Sequence, residues 1–165
     1  MFFNLTYCFF HYFNLNVIYL MFKDIDVMRV SYEAVQFDRN SSFCTLHIDV
    51  PVKELGWEYH YHPEVELVCV ISGNGTRHVG YHKSNYSNGD LVLIGSNIPH
   101  SGFGLNAVDP HEEIVIQFQE KIFVFPKEVE EMTIVVKLIA LAKLGILFGD
   151  TIKKKMIPRL YKLVD

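Results

Sequence analysis

Between Met28 and Phe118 apolar and polar residues alternate in short runs, and most runs end in a cluster of turn-forming residues. Successive side chains of a strand face opposite sides, so alternation marks a half-buried strand and an unbroken apolar run a strand covered on both faces. MRVSYEAVQFD and SFCTLHIDVPV read as two strands separated by the turn cluster Asp38 to Ser42, and Pro51 and Gly56 bracket a loop before WEYHYH. VELVCVI predicts a further strand, Ser72 to Gly75 a hairpin in which glycine or asparagine takes positive φ, and TRHVGYH the return strand. Lys83 to Asp90 reads as a polar loop, LVLI as an apolar strand, Ser101 to Asp109 as a turn-rich stretch and EEIVIQF as the last strand. Many short strands joined by tight turns predict a β-sandwich or barrel.

Past Pro126 the period becomes helical. KEVEEMTIVVKLIALAKLG carries its acidic residues early, lysines late and Gly145 just past the end, the order a helix dipole and a C-terminal glycine favour. A second helix starts with Thr151 as N-cap, aligns Ile152, Met156, Leu160 and Leu163 on one face, and is kinked or restarted at Pro158. That stripe has three destinations open to it: the barrel itself, a second copy of the chain, or a partner segment outside these residues. Lys153, Lys154, Lys155, Arg159 and Lys162 read as a solvated basic face.

With 165 residues, half of them hydrophobic, the chain can fill one core and is short for two. A net charge of -4 supplies no overall basic footprint for nucleic acid. The three cysteines are scattered and odd in number, which points away from a disulfide framework and toward a reducing cytoplasm. Residues 1 to 22 hold no Asp, Glu, Lys or Arg, yet Asn4, Thr6, His11, Asn14 and Asn16 punctuate the run and no small-residue cleavage site follows. We read it as upstream DNA translated in frame, with the natural start at Met21 or Met28 rather than Met1; membrane contact is expected only if this extension is native. The expected division is an apolar extension over 1–27, a β-barrel over 28–125 and a helical linker or dimerisation segment over 126–165.

The chemistry concentrates between Gly56 and His100. Strand alternation points His60 and His62 to one side and Tyr59 and Tyr61 to the other, and it places Glu66 on the same face as Val68 and Val70. A carboxylate in such a run needs a partner, which two imidazoles and a third from His100 would supply. Three imidazoles and one carboxylate suit iron, manganese, nickel or zinc rather than calcium. His60 and His62 could also form an ordinary polar rim, or hydrogen-bond a ligand hydroxyl without a metal. Trp57 either packs at the barrel mouth or stacks on a sugar ring. Glu64 reads as a solvated turn residue, and His78, His82 and His111 as surface histidines.

The spacing His60-x-His62-x3-Glu66-x6-Gly73, followed by Gly89-x5-Gly95 and His100, resembles the two motifs of the cupin superfamily over roughly residues 46 to 118. The resemblance implies a mainly β, cupin-type double-stranded barrel (jelly roll) followed by C-terminal α-helices, with His60, His62, Glu66 and His100 as metal ligands. Gly95 stands where a proline is usual, Asn97 where a glycine is usual and Gly104 where an asparagine is usual. HYHPEVELVCVISGNGTR, GDLVLIGSNIPH and EEIVIQF, in that order, are similar to the N-terminal sensor domains of AraC-type transcription regulators. That likeness implies a small effector, often a sugar, bound in the barrel, a homodimer formed through the C-terminal helices, and a helix-turn-helix part that reaches DNA. The latter is absent from these 165 residues, so a truncated regulator or stand-alone sensor fragment is expected. The rival reading is a small cupin metalloenzyme of the dioxygenase or sugar isomerase type; a third is a metal-binding or structural barrel without signalling.

Overall fold

The computed structural model describes residues 29–55, 58–123 and 130–164. Trp57 and the extension over 1–27 lie outside the described residues. The strands are β1 (Ser31–Tyr32), β2 (Phe43–Asp49), β3 (His60–Tyr61), β4 (Val65–Val79), β5 (His82–Tyr86), β6 (Asp90–Ile94), β7 (Leu105–Phe118) and β8 (Ile146–Leu147). The helices are α1 (Glu130–Leu141) and α2 (Asp150–Val164), with short 3-10 turns at Val52–Glu54, Glu120–Phe123 and Ala142–Leu144. The main sheet runs β2-β7-β4-β6-β8 with β5 also paired to β4, all antiparallel, while β1 pairs β3 in parallel. This is the expected mainly β barrel with helices after it.

The long strands β4 and β7 alternate as the sequence pattern predicts. Val68 and Val70 of β4 join Val92, Ile94, Phe103 and Val115 in the barrel interior. Their neighbours Val65, Leu67 and Cys69 face outward under the helices. Fully burying each such side chain contributes about 1.5–3 kcal/mol.

Several local expectations give way to tertiary context. Ser72 to Gly75 is no hairpin: β4 continues to Val79, and the turn falls at Gly80–Tyr81. The glycine-rich stretch forms register irregularities against β7 instead, with Gly73 at φ +120°. A strand of 15 residues that pairs β6 at one end and β5 at the other must bend, and a bulge supplies the bend. The polar stretch after Tyr81 forms β5, and β7 begins at Leu105 inside the turn-rich segment. The first predicted strand shrinks to Ser31–Tyr32.

Helix α2 starts at Asp150, one residue before the expected cap, and runs through Pro158 without a break. It folds back on the barrel, one of the three destinations. Its buried face is Met156, Ile157, Leu160, Tyr161 and Val164 against Cys69, Leu91, Ile114 and Ile116. Ile152 and Leu163 are half exposed, so the expected stripe is rotated by about one residue. Lys153 is buried rather than solvated; its Nζ donates to the Asn88 carbonyl at 2.7 Å and meets Asp150 at 3.1 Å. Among the described residues no helix is long and apolar enough to cross a membrane.

Candidate metal and ligand site

The four predicted residues converge because two separate strand pairings register them. His60 and His100 form an antiparallel bridge in which each backbone N–H donates to the other's carbonyl at 2.8 Å. Residues opposed in this way carry their side chains on one face, and the two rings stand 4.3 Å apart. Asn97 N–H donates to the His62 carbonyl at 2.8 Å, which stitches the loop to the same edge. Glu66 then arrives from β4, directly opposite Gln117 of β7. One donor atom from each of His60, His62, Glu66 and His100 lies within 4.8 Å of all the others.

The departures from the usual second motif have local causes. Asn97 adopts φ +59°, the left-handed conformation that asparagine tolerates almost as glycine does. At Gly95 a Cβ would stand 2.8 Å from the Lys143 backbone nitrogen, and Gly95 N–H donates to the Ala142 carbonyl at 2.9 Å. The 3-10 turn Ala142–Leu144 therefore occupies the space a proline ring would need.

Orientation of the imidazoles follows from their backbone contacts. His60 Nδ1 lies 2.8 Å from the Glu58 carbonyl and His100 Nδ1 lies 2.8 Å from the Ile98 carbonyl. A carbonyl only accepts, so both Nδ1 atoms carry hydrogen and both Nε2 atoms of the neutral rings turn a lone pair toward the cluster. His100 Nε2 is buried, makes no hydrogen bond of good geometry and stands 3.3 Å from Glu66 Oε1. His62 Nε2 is 3.0 Å from Glu66 Oε2, which also accepts from the Gln117 amide at 2.9 Å.

Burial by itself would raise the Glu66 pKa, but its contacts with His100 and His62 and their charge outweigh burial and hold the carboxyl below the usual range. For His100, burial lowers the pKa, and the Glu66 carboxylate reverses this to leave it raised. The carboxyl is thus ionised at neutral pH, the form a cation needs.

The donor set fits a first-row divalent metal. Donors about 2.1 Å from one ion stand at most about 4.2 Å apart, so a spread of 4.8 Å closes with sub-ångström movement. The backbone carbonyls on Nδ1 are the outer contacts that ligating histidines ordinarily have. Imidazole and carboxylate together favour iron, manganese, nickel or zinc.

Four neighbours were not predicted as part of this region. Glu64 is buried, not solvated, and its Oε2 stands 3.7 Å from His62 Nδ1. Glu33 follows β1 and brings Oε2 to 3.6 Å from His60 Nε2. Gln117 braces Glu66, and Glu113 lines the adjoining cavity. His111 is buried in β7 beside Glu113, whereas His82 is exposed as expected and His78, half-buried, stacks on Tyr59. Of these, Glu113 and Gln117 carried a usable signal: polar residues at period two in a strand otherwise apolar on that face.

A cavity of about 170 Å³ opens beside the cluster. Glu33, His60, Glu66, His100 and Gln117 form its polar wall, and Ile48, Val68, Phe103 and Val115 an apolar one.

Residues 46–103 match the family described as AraC-like ligand binding domain. Over this segment the chain is similar to an AraC-like ligand binding domain. The matched span of the domain contains all four cluster residues. No curated protein matches the chain. Among solved structures, it is similar to the plu4264 protein from Photorhabdus luminescens, at 22% identity over 50% of this chain and 67% of that one, TM-score 0.41. It is also similar to a cupin 2 conserved barrel domain protein from Rhodopseudomonas palustris, at 18% identity over 62% and 75% of the two chains, TM-score 0.37. A third is the oxalate decarboxylase of Bacillus subtilis, at 20% identity over 64% of this chain, TM-score 0.38; the match spans 32% of the decarboxylase chain.

Proposed function

We propose that the barrel is the sensor of an AraC-type transcription regulator, binding a small, sugar-like metabolite in the cavity beside His60, His62, Glu66 and His100. One observation carries the reading beyond a bare ligand site. Strand β7 lines the cavity with Glu113, Val115 and Gln117, and its intervening residues hold α2: Ile114 and Ile116 pack under Leu160, and Glu112 accepts from the Tyr161 hydroxyl at 2.5 Å. Occupancy that favours one position of β7 therefore favours one seating of α2, a population shift with differential contacts at both ends. A DNA-binding part outside these residues would read that seating, in the cytoplasm and as a homodimer. Exposed Ile134, Val136 and Leu141 on α1 support the dimer.

In this reading His60, His62, Glu66 and His100 would hold a divalent transition metal, which when bound would supply Lewis-acid chemistry. Gln117 and the backbone carbonyls at Glu58 and Ile98 keep the ligands aimed, and the apolar wall excludes water. The metalloenzyme alternative rests on the same four donors; the packing of α2 on the outer face of β7 favours the sensor.

The test is a thermal-shift screen of pentoses, hexoses and polyols on the wild type and Glu66→Ala. At least one compound is expected to raise the melting temperature of the wild type and not of the variant. No shift with any of them would refute a sugar-like effector. Sedimentation of the wild type beside Ile134→Asp tests the dimer, which the variant is expected to dissociate.

A further inference from the structure

The cavity has a second polar station that the metal cluster does not use. Glu113 stands four residues before Gln117 on β7, opposite Val70 of β4 and Ile48 of β2, which places it about 13 Å along the strand from the position facing Glu66. It lines the cavity and is 6% exposed. Its Oε2 is 3.0 Å from Nε2 of His111, itself 2% exposed. The bulge in β4 makes room for that brace: a Cβ at Gly73 would stand 3.0 Å from the Pro110 carbonyl and 3.3 Å from His111 Nδ1. Arg77 is engaged by Asp90 in an ion pair.

Counting what the lining offers a guest decides the chemistry. With Glu66 and the imidazoles committed to the metal cluster, Glu33 and Glu113 present carboxylates, and the Gln117 amide points its hydrogens at Glu66 and Glu33. The walls are therefore rich in acceptors, and a buried carboxylate facing another carboxylate leaves both without compensation.

We infer that Glu113, braced by His111, is the specificity-determining contact for the effector's tail, and that the effector carries a hydroxyl or ammonium donor, not a carboxylate, at the end remote from the histidines. The inference rests on the reading of this cavity as the ligand site. It narrows the effector to a small amino or hydroxy compound whose other end presents oxygen to the histidine cluster.

Three probes of one length separate the tails: γ-aminobutyrate, 4-hydroxybutyrate and succinate, titrated by calorimetry into the full chain with and without Mn²⁺. In the wild type the ammonium and hydroxyl probes are expected to bind about tenfold or more tighter than succinate. In Glu113→Gln that preference falls to about threefold or less, and Glu113→Asp retains its sign. Because the preference is a ratio within one protein, a partly unfolded variant lowers all three signals without mimicking the effect. Binding of none of the probes, no preference in the wild type, or a preference that survives Glu113→Gln would overturn the inference. Metal content of the same samples distinguishes the two layers. Loss of metal binding with the tail preference intact faults the metal reading alone, and metal retained without tail preference faults Glu113 alone.

Discussion

Alternate residues of β4, β6 and β7 face two unlike surroundings. Toward the helices stand Leu67, Cys69, Leu91, Leu93, Ile114 and Ile116, packed on α1 and α2, with Glu112 the polar contact at the edge of that face. Toward the barrel interior the same strands carry Glu66, Glu113 and Gln117 between valines, all three almost wholly buried. The outer face has what stability asks of a sheet under helices. The inner face carries ionisable groups whose burial costs free energy unless each is matched, and here the matching comes from histidines and an amide held in register. Groups that burden a core persist where function uses them, so the contrast supports the proposal that the ligand site lies on the inner face.

If that division is right, damage to the two faces should differ in kind. The largest loss of stability is expected from Leu160→Ala, which opens a void under α2 and costs about 2–5 kcal/mol by denaturant unfolding while leaving Mn²⁺ affinity unchanged. Glu66→Gln comes next: it removes a charged hydrogen-bond acceptor, costs about 1.5–3 kcal/mol without metal, and weakens Mn²⁺ binding by at least about tenfold. An outer variant that abolished metal binding while still folded would erase the contrast.

A smaller effect tests how α2 is fastened. The Tyr161 hydroxyl donates to Glu112, which is also 3.0 Å from His47 Nε2. This raises the Tyr161 pKa to about 12 from 10.0, chiefly through the Glu112 hydrogen bond. It lowers the Glu112 pKa below 4.5, again chiefly through Tyr161. For Tyr161 the raised value means stabilisation that is complete below pH 10 and lost as pH rises toward about 12. For Glu112 the lowered value means stabilisation present above pH 4.5 and lost as pH falls through the depressed value. Tyr161→Phe should cost about 1 kcal/mol at neutral pH and shrink both limbs of the stability profile. An unchanged profile would show that the hydroxyl does not fasten the helix. The smallest effect expected is from Asn97→Gly, which keeps the left-handed turn and should change stability by less than about 0.5 kcal/mol and metal affinity not at all. A loss of metal would mean that the Asn97 side chain, not its backbone, supports the site.

The central cluster was legible because period-two alternation and motif spacing are local: His60 and His62 share a face whatever surrounds them, and Glu66 declares itself among valines. The bend in β4 was not. Ser72 to Gly75 has the composition of a hairpin, and only the switch of partners along the strand makes those residues a bulge. Glu64 and His111 were misjudged as exposed because burial of a polar residue is set by what lies across from it, information no single strand carries. In α2 the sets Ile152-Met156-Leu160-Leu163 and Met156-Ile157-Leu160-Tyr161 both satisfy helical spacing, and contact with Ile114 and Ile116 selects the second. The role of β7 in joining cavity and helix was beyond reach from sequence, since it depends on opposite faces of one strand having different neighbours.

Calorimetric titration of Mn²⁺ into the metal-free wild type, Glu66→Gln and Tyr161→Phe tests the central claim most directly. The account predicts one site per chain in the wild type, the same affinity in Tyr161→Phe, and at least about a tenfold weaker one in Glu66→Gln. No binding by the wild type, or equal binding by Glu66→Gln, would contradict it.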